Sequence, residues 1–302
     1  MQNPQWMEKI QSLCREWEIP FAQQVPLRDY TTFQIGGPAR VMVTPSSEEQ
    51  LAAICRERDS LPLFFLGRGS NLLVSDAGYD GIVVVLGKEF ARIRQEENLL
   101  VCEAGASLNR VCRTARDLGL SGLEFAFGIP GTVGGAVYMN AGAYGGEMKD
   151  VLLWAEHLDD KGNLCRVPAE ELDLSYRHSR YSGSRDCIVR AAFRLTPGDP
   201  VAISARMEEL MARRREKQPL EYPSAGSTFK RPEGAFAAAL IEQCGLKGVS
   251  VGDAAVSEMH SGFLINRGNA TCADMEALIA RVQQVVAEQT GYRLETEVQR
   301  LG

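Results

Sequence analysis

None of the chain's eight cysteines (Cys14, Cys55, Cys102, Cys112, Cys165, Cys187, Cys244 and Cys272) stands in a Cys-x-x-Cys pair. Its three histidines, His157, His178 and His260, are widely dispersed. Zinc-site and disulfide frameworks are therefore set aside, no metal is expected, and the thiols read as reduced core residues. No apolar run approaches the roughly 20 residues of a membrane helix. The opening MQNPQWMEKIQSLCREWEIP is polar and amphipathic, without a secretory apolar core. A cytoplasmic protein that does not enter a membrane is expected. Cationic excess is also missing: 33 Lys and Arg stand against 39 Asp and Glu, a net charge of −6. This argues against a general nucleic-acid binder, though a local basic patch stays possible. There is no internal repeat and no low-complexity segment. What remains is a globular composition, 45 % hydrophobic and 24 % charged over 302 residues. Such a length can bury a large core in two or three domains.

Glycine is abundant, and it concentrates. The stretch GIPGTVGGAVYMNAGAYGG, residues 128–146, holds Gly128, Gly131, Gly134, Gly135, Gly142, Gly145 and Gly146. Glycine weakens helices and strands, so this density calls either for positive φ or for a backbone that something must approach closely. Converging N–H groups in such a stretch bind phosphate. One reading is a loop laid against a phosphorylated cofactor; the other is a run of tight turns. Spacing alone leaves both open. Upstream, the buried-type strand 61–66 runs into Gly67-Arg68-Gly69-Ser70-Asn71. A strand followed by G-x-G-S-N suits a diphosphate. It is not the dinucleotide fingerprint, because the third glycine is missing and Leu72-Leu73-Val74 continues as strand.

In chain order, a helix is predicted over 5–17, a strand from Arg40, and a helix from Ser46-Ser47-Glu48-Glu49 to about 58. Strands follow at 82–87 and 98–103. Ser107 caps a helix that Gly119 stops. Asp160-Lys161-Gly162-Asn163 joins strands 151–158 and 164–167 as a hairpin, and another strand spans 186–195. Pro197-Gly198-Asp199-Pro200 is the clearest boundary. Beyond it come helices over 203–217, 235–244 and 273–290, short strands near 248–256 and 262–266, and a closing strand over 293–301. The order is mixed α+β, not regular βαβ alternation.

Three polar clusters could carry chemistry. In Leu174-Ser175-Tyr176-Arg177-His178-Ser179-Arg180-Tyr181, aromatic and cationic residues alternate, as suits an anionic ligand; a solvated arginine loop is the plainer reading. In SAGSTFKRP, Ser227 sits on a tight turn ahead of a helix, either as an N-cap or as an active hydroxyl. In Leu294-Glu295-Thr296-Glu297-Val298, strand alternation puts Glu295 and Glu297 on one face. The basic run 213–217 ends a helix, where cations complement the helix dipole.

Taken together, TTFQIGGPA, GRGSNLLV, GLEFAFGIPGTVGGAVYMNAGAYGGE, LSYRHSRY, KQPLEYPSAGSTFKRP, HSGFLINRGNAT and LETEV resemble the UDP-N-acetylenolpyruvoylglucosamine reductase family, flavoproteins of bacterial peptidoglycan precursor synthesis. The resemblance runs from about Thr31 to Gly302. It implies an α+β fold: a two-part FAD-binding region of the vanillyl-alcohol-oxidase-like (PCMH) type, residues 1–60 and 61–198, and a C-terminal α+β domain, 199–302, for the UDP-sugar. It implies non-covalent FAD held by Gly67, Arg68, Gly69, Ser70, Asn71, Gly128, Ile129, Pro130, Gly131, Thr132, Gly134, Gly135, Asn140, Ala141 and Gly142. It implies a monomer that uses NADPH to reduce UDP-N-acetylenolpyruvylglucosamine to UDP-N-acetylmuramate. Arg177, Ser227 and Glu297 become the catalytic set. Tyr176, Lys217, Gly226, Lys230, Arg231 and Asn266 become substrate ligands, with Tyr144 and His260 as weaker candidates. The short interval between Arg177 and Lys217 resembles the family's second type, which lacks the insertion carrying a substrate-covering tyrosine.

Hydride transfer is beyond ordinary side chains, so a flavin suits the reaction. Arg177 supplies a planar, permanent cation for the carboxylate that gains charge. Ser227 can protonate a carbanion. An ionised Glu297 would repel the intermediate, so a raised pKa or a cationic partner such as Arg177 or a lysine is expected. Two other readings compete: an FAD oxidase or dehydrogenase acting on an alcohol or hydroxy acid, and a non-enzymatic flavin or sugar-nucleotide module. The oxidase reading gives no reason for the YRHS, AGS and LETEV constellation.

Overall fold

Helices begin where a hydroxyl can cap them. Ser47, Ser107, Thr132 and Thr271 each accept a backbone N–H three residues on, opening Glu48–Arg56, Leu108–Asp117, Val133–Tyr138 and Cys272–Thr290. At the first of these the capping residue is Ser47, and Gln50 reaches back to the Ser46 N–H at 2.7 Å. Gly119 and Gly291, at φ +66° and +77°, end two helices in the left-handed conformation that glycine adopts without a Cβ penalty. The computed structural model describes residues 4–302.

The chain forms two compact units. The first comprises residues up to Gln23, Val41–Gly67 and Gly81–Ala212; the second comprises Gln24–Arg40, Arg68–Asp80 and Arg213–Gly302. The borders expected at 60 and 198 do not divide them. The chain changes unit inside three strands, Phe21–Pro26, Pro38–Val43 and Tyr79–Val85, and a strand carries no composition signal at such a point.

In the first unit, a five-stranded antiparallel sheet runs Leu164–Pro168, Leu152–Leu158, Cys187–Arg194, Leu99–Glu103, Ile93–Glu96. Its apolar face meets Leu108–Asp117 and Val133–Tyr138 around Leu100, Val111, Val137 and Phe193, all fully buried. A second core gathers Ile10, Leu51 and Ile54 from the helices Gln5–Glu16 and Glu48–Arg56 onto Val41, Ile82 and Val84. There Leu63–Leu66 lies parallel to Tyr79–Val85, with Leu63 opposite Ile82.

In the second unit, the antiparallel sheet Ser224–Ser227, Phe263–Asn266, Ala254–Val256, Ser250–Val251 is covered by Cys272–Thr290. That helix buries Met275, Leu278, Val282 and Val286, residues spaced three and four apart. Each such side chain contributes about 1.5–3 kcal/mol relative to exposure.

Three expectations are corrected here. The closing strand is only Gln299–Leu301, paired in parallel with Leu72–Val74; residues 293–298 make a single bridge, Phe229 to Thr296, in place of an alternating strand. Ser227 ends a strand and is not an N-cap, since the next helix is Ala237–Gln243. The helix after the Pro-Gly-Asp-Pro boundary starts at Pro200, where the missing N–H costs nothing, and Asp199 Oδ1 accepts the Val201 N–H at 3.0 Å. Among the described residues no helix is long and apolar enough to cross a membrane.

Candidate active site

In the first unit the two glycine motifs meet. Leu63–Leu66 delivers Gly67 so close to Thr132 that a Cβ on Gly67 would lie 2.7 Å from Thr132 Oγ1. Thr132 caps Val133–Tyr138, a short helix where the sequence suggested only loop, and accepts the Gly135 N–H at 3.5 Å. Gly135 is exposed, and a Cβ there would meet nothing nearer than Thr132 Oγ1 at 3.7 Å. An exposed first turn that no side chain covers fits the close approach of a phosphate-bearing group.

The other glycines mostly answer inward. A Cβ on Gly134 would meet Ala104 Cβ at 3.0 Å, one on Gly142 the Gly146 carbonyl at 2.7 Å, and one on Gly146 the Phe125 ring at 2.7 Å. Gly128 and Gly145 have φ of +86° and +88°. Close packing thus accounts for Gly134, Gly142 and Gly146, and positive-φ turns for Gly128 and Gly145. Gly128 donates its N–H to Asn109 Oδ1 at 2.7 Å, Gly131 packs near Leu108, Ile129 and Ala141 lie against the core, and Pro130 is exposed.

Tyr176 and Arg177 form the tip of a two-residue turn. Ser175 N–H donates to the His178 carbonyl at 3.2 Å, and His178 N–H returns to the Ser175 carbonyl at 3.1 Å. Arg177 takes φ +56°, unusual for a residue with a side chain. Its guanidinium lies 5.0 Å from the Tyr176 ring centroid and donates through Nη2 to the Gly142 carbonyl at 3.3 Å. Tyr176 is 47 % exposed, whereas Ser179 and Tyr181 are fully buried. The cluster is therefore an anchored turn, not a solvated loop. Asn140, expected at the cofactor, is fully buried and bonded inward to this turn and to Glu147.

In the second unit, Gly69 takes φ +62°; a Cβ there would lie 2.2 Å from the Tyr30 carbonyl. Thr32 donates its N–H to the Gly69 carbonyl at 3.2 Å, and its Oγ1 is buried with no hydrogen-bond partner among the described residues. An orphaned hydroxyl beside this loop suits an added polar ligand. Asn71 Nδ2 donates to the Glu297 carbonyl at 3.0 Å, and Gln299 N–H to the Asn71 carbonyl at 3.0 Å. Arg68 is exposed and Ser70 half-buried.

Ser227 stands opposite Phe263 at the end of its strand. Gly226 before it takes φ +75°, with nothing within 4 Å of its would-be Cβ. Glu297 N–H donates to the Thr228 carbonyl at 2.8 Å, and Lys230 N–H to the Glu295 carbonyl at 2.8 Å. These two bonds bring the LETEV segment alongside Ser227, which the alternation argument did not foresee.

Among the expected substrate ligands, Lys230 Nζ pairs with Glu295 at 3.3 Å, the Arg231 guanidinium sits 4.7 Å from the Phe236 ring centroid, and Lys217 is exposed at its helix end. Asn266 is turned inward: it is buried, donates Nδ2 to the Phe33 carbonyl at 3.0 Å, and accepts Gly268 and Ala270 N–H on Oδ1, which occupies its carbonyl oxygen and one of its two amide hydrogens. His260 accepts the Gly262 N–H on Nδ1, and burial holds its pKa below the usual imidazole value. Glu147 and Thr32 were not singled out in the sequence. Their importance rests on contacts between turns, for which spacing carries no signal.

Residues 218–301 match the family model for the UDP-N-acetylenolpyruvoylglucosamine reductase C-terminal domain, and residues 39–168 match that for an FAD binding domain. The chain is 49 % identical over 298 residues to the UDP-N-acetylenolpyruvoylglucosamine reductase of Clostridium novyi, covering 98 % of this chain and 96 % of the relative. It is 45 % identical to the reductase of that name from Caldanaerobacter subterraneus, covering 98 % of each. The crystal structure of UDP-N-acetylenolpyruvylglucosamine reductase from Thermus caldophilus superposes with a TM-score of 0.82 at 37 % identity, covering 94 % of this chain and 99 % of that one.

Proposed function

The chain belongs to the UDP-N-acetylenolpyruvoylglucosamine reductase family, and from that premise we propose how its own residues divide the work. It is an FAD-dependent oxidoreductase that reduces UDP-N-acetylenolpyruvylglucosamine in peptidoglycan precursor synthesis, with NADPH as hydride donor. The flavin falls to the part of the chain that the FAD-binding match spans, 39–168, and the sugar nucleotide to the part that the reductase C-terminal match spans, 218–301. FAD, when bound, supplies the hydride chemistry that no side chain can.

In this reading Gly67, Thr132 and the open turn at Gly135 hold the phosphates in the first unit, and the Gly69 loop with Thr32 offers polar contacts in the second. Arg177 binds the enolpyruvyl carboxylate, whose negative charge grows when C3 of the enolpyruvyl group accepts hydride and the carbanion left at C2 delocalises into it. A guanidinium fixed before that charge develops stabilises it by several kcal/mol in a water-poor site. Ser227 gives its proton to the adjacent substrate carbon. Glu297, held beside Thr228, positions or supplies a proton at the enolic carboxylate. The observation that carries this reading is Arg177 itself: a non-glycine residue in the left-handed conformation at the tip of an anchored turn, its guanidinium turned to the glycine-rich segment at Gly142. Lys217, Lys230 and Arg231 are the candidate diphosphate partners. We further infer a cytoplasmic monomer without nucleic-acid partners, in keeping with eight free thiols and a net charge of −6.

The test is anaerobic reduction by NADPH followed by UDP-N-acetylenolpyruvylglucosamine, with the flavin absorbance monitored. Rapid return of the oxidised spectrum is expected. A flavin reoxidised only by oxygen would favour the oxidase reading.

A further inference from the structure

Asn140 is a strange residue to find wholly buried. It takes φ +41°, has no exposed surface, and spends its side chain on three partners. Nδ2 donates to the Ser175 carbonyl at 2.9 Å and to Glu147 Oε2 at 2.7 Å. Oδ1 accepts the Lys149 N–H at 2.9 Å. Two acceptors on one side and a donor on the other fix which way the amide points. Glu147 is itself held: its carboxylate pairs with Lys149, and its N–H donates to Asp150 Oδ2 at 2.9 Å. Ser175 is the residue whose carbonyl and N–H close the Tyr176–Arg177 turn. A second tie lies just beyond, where Ser179 Oγ donates to the Tyr138 carbonyl at 2.7 Å.

The glycine-rich segment therefore grips the arginine turn on both sides, and Arg177 Nη2 reaches back to the same segment at Gly142. An arginine has four side-chain torsions and a costly rotamer entropy. Its value as a fixed cation depends on a backbone that does not move.

We propose that Asn140 is a positioning residue for Arg177. It acts through Ser175 and Glu147 to hold the turn whose guanidinium binds the substrate carboxylate, and it does not contact the flavin. The inference rests on the assignment of Arg177 made above. Glu147 shares the role as the anchored acceptor that orients the amide.

Asn140→Asp is the sharpest variant. Aspartate tolerates the left-handed conformation and keeps the shape, but it turns an acceptor toward both Glu147 Oε2 and the Ser175 carbonyl. Bound FAD and the rate of flavin reduction by NADPH should stay at wild-type levels. Reoxidation at saturating substrate should slow at least tenfold, with a smaller change in KM. The loss should ease as pH is lowered, because a carboxyl buried against Glu147 takes up a proton and donates again. Adding Glu147→Gln restores one donor–acceptor pair and should recover part of the rate. In the FAD-free protein, hydrogen exchange at the Ser175 and His178 amides should accelerate while the strand Cys187–Arg194 stays protected.

Arg177→Lys, measured in parallel, separates the two claims. Near-wild-type reoxidation in that variant overturns the Arg177 reading itself. Slow reoxidation there with normal reoxidation in Asn140→Asp overturns only the positioning role. Loss of FAD, or equal slowing of both half-reactions, in Asn140→Asp would make Asn140 a flavin ligand and also overturns it. If Asn140→Asp does not fold, Glu147→Ala carries the test: it should slow reoxidation severalfold and leave reduction by NADPH unchanged, and unaltered reoxidation would refute the proposal.

Discussion

Glu297 donates its backbone N–H to the carbonyl of Thr228 at 2.8 Å, so the carboxylate near the end of the chain is carried by the residue bonded next to Ser227. Asn71 holds the same residue from the other side through the Glu297 carbonyl. Two polar groups some seventy positions apart in the chain thus share one backbone frame within the second unit.

Ser227→Ala removes the proposed proton donor without disturbing that frame, since neither bond just named uses the Ser227 side chain. Turnover should fall about 10²–10⁴-fold, the usual worth of a positioned general acid. Stopped-flow reduction of the flavin by NADPH should be unaffected. Unchanged steady-state turnover would remove Ser227 from the mechanism.

Gly146 has an ordinary φ, yet a Cβ there would lie 2.7 Å from the Phe125 ring. Gly146→Ala should destabilise the protein by about 1–3 kcal/mol through overpacking. Gly145, next in the chain, has φ +88° and open space around it. Gly145→Asn should cost less than about 1 kcal/mol, because asparagine tolerates the left-handed region. Urea melts of the two variants test this order, and a larger loss in Gly145→Asn would contradict it.

His157 is buried against Tyr181, whose OH lies 3.2 Å from Nδ1, and burial lowers its pKa; Asp186, 3.8 Å from Nε2, pulls it up less strongly. His260 is lowered in the same way. Both folded values lie below the unfolded value of about 6.5. The neutral rings therefore contribute fully above that pH, and stability declines as pH falls through it toward the folded values. Thermal melts across this range should show the decline, and His157→Phe should flatten it. An equal slope in that variant would assign the acid loss elsewhere.

Thr271 and Asp274 form a reciprocal cap on the helix Cys272–Thr290: Thr271 Oγ1 accepts the Asp274 N–H at 3.0 Å and Asp274 Oδ2 the Thr271 N–H at 3.0 Å. Thr271→Ala should cost about 1 kcal/mol. Equilibrium denaturation reads this directly, and flavin reduction by NADPH should not change.

Much of this was legible in the chain. The capping serines, the stopping glycines at 119 and 291 and the hairpin about Asp160-Lys161-Gly162-Asn163 are local signals, decided by bonds that span a few residues. The ordered series of motifs was specific enough to point to the family and to FAD. Three things were not legible. Three of the five borders between the two units cut through strands, whose residues look alike on both sides. Asn140 and Asn266 read as ligand contacts, but both amides are buried, and whether an amide is open or consumed depends on what packs over it. The pairing of Glu297 with Thr228 joins backbone groups whose hydrogen bonds are the same for every residue type, and the grip of Asn140 on the Arg177 turn ends on a backbone carbonyl 35 residues away. Side-chain chemistry is written in the sequence. Which backbone carbonyl lies opposite which N–H is decided only when the tertiary fold brings distant turns together.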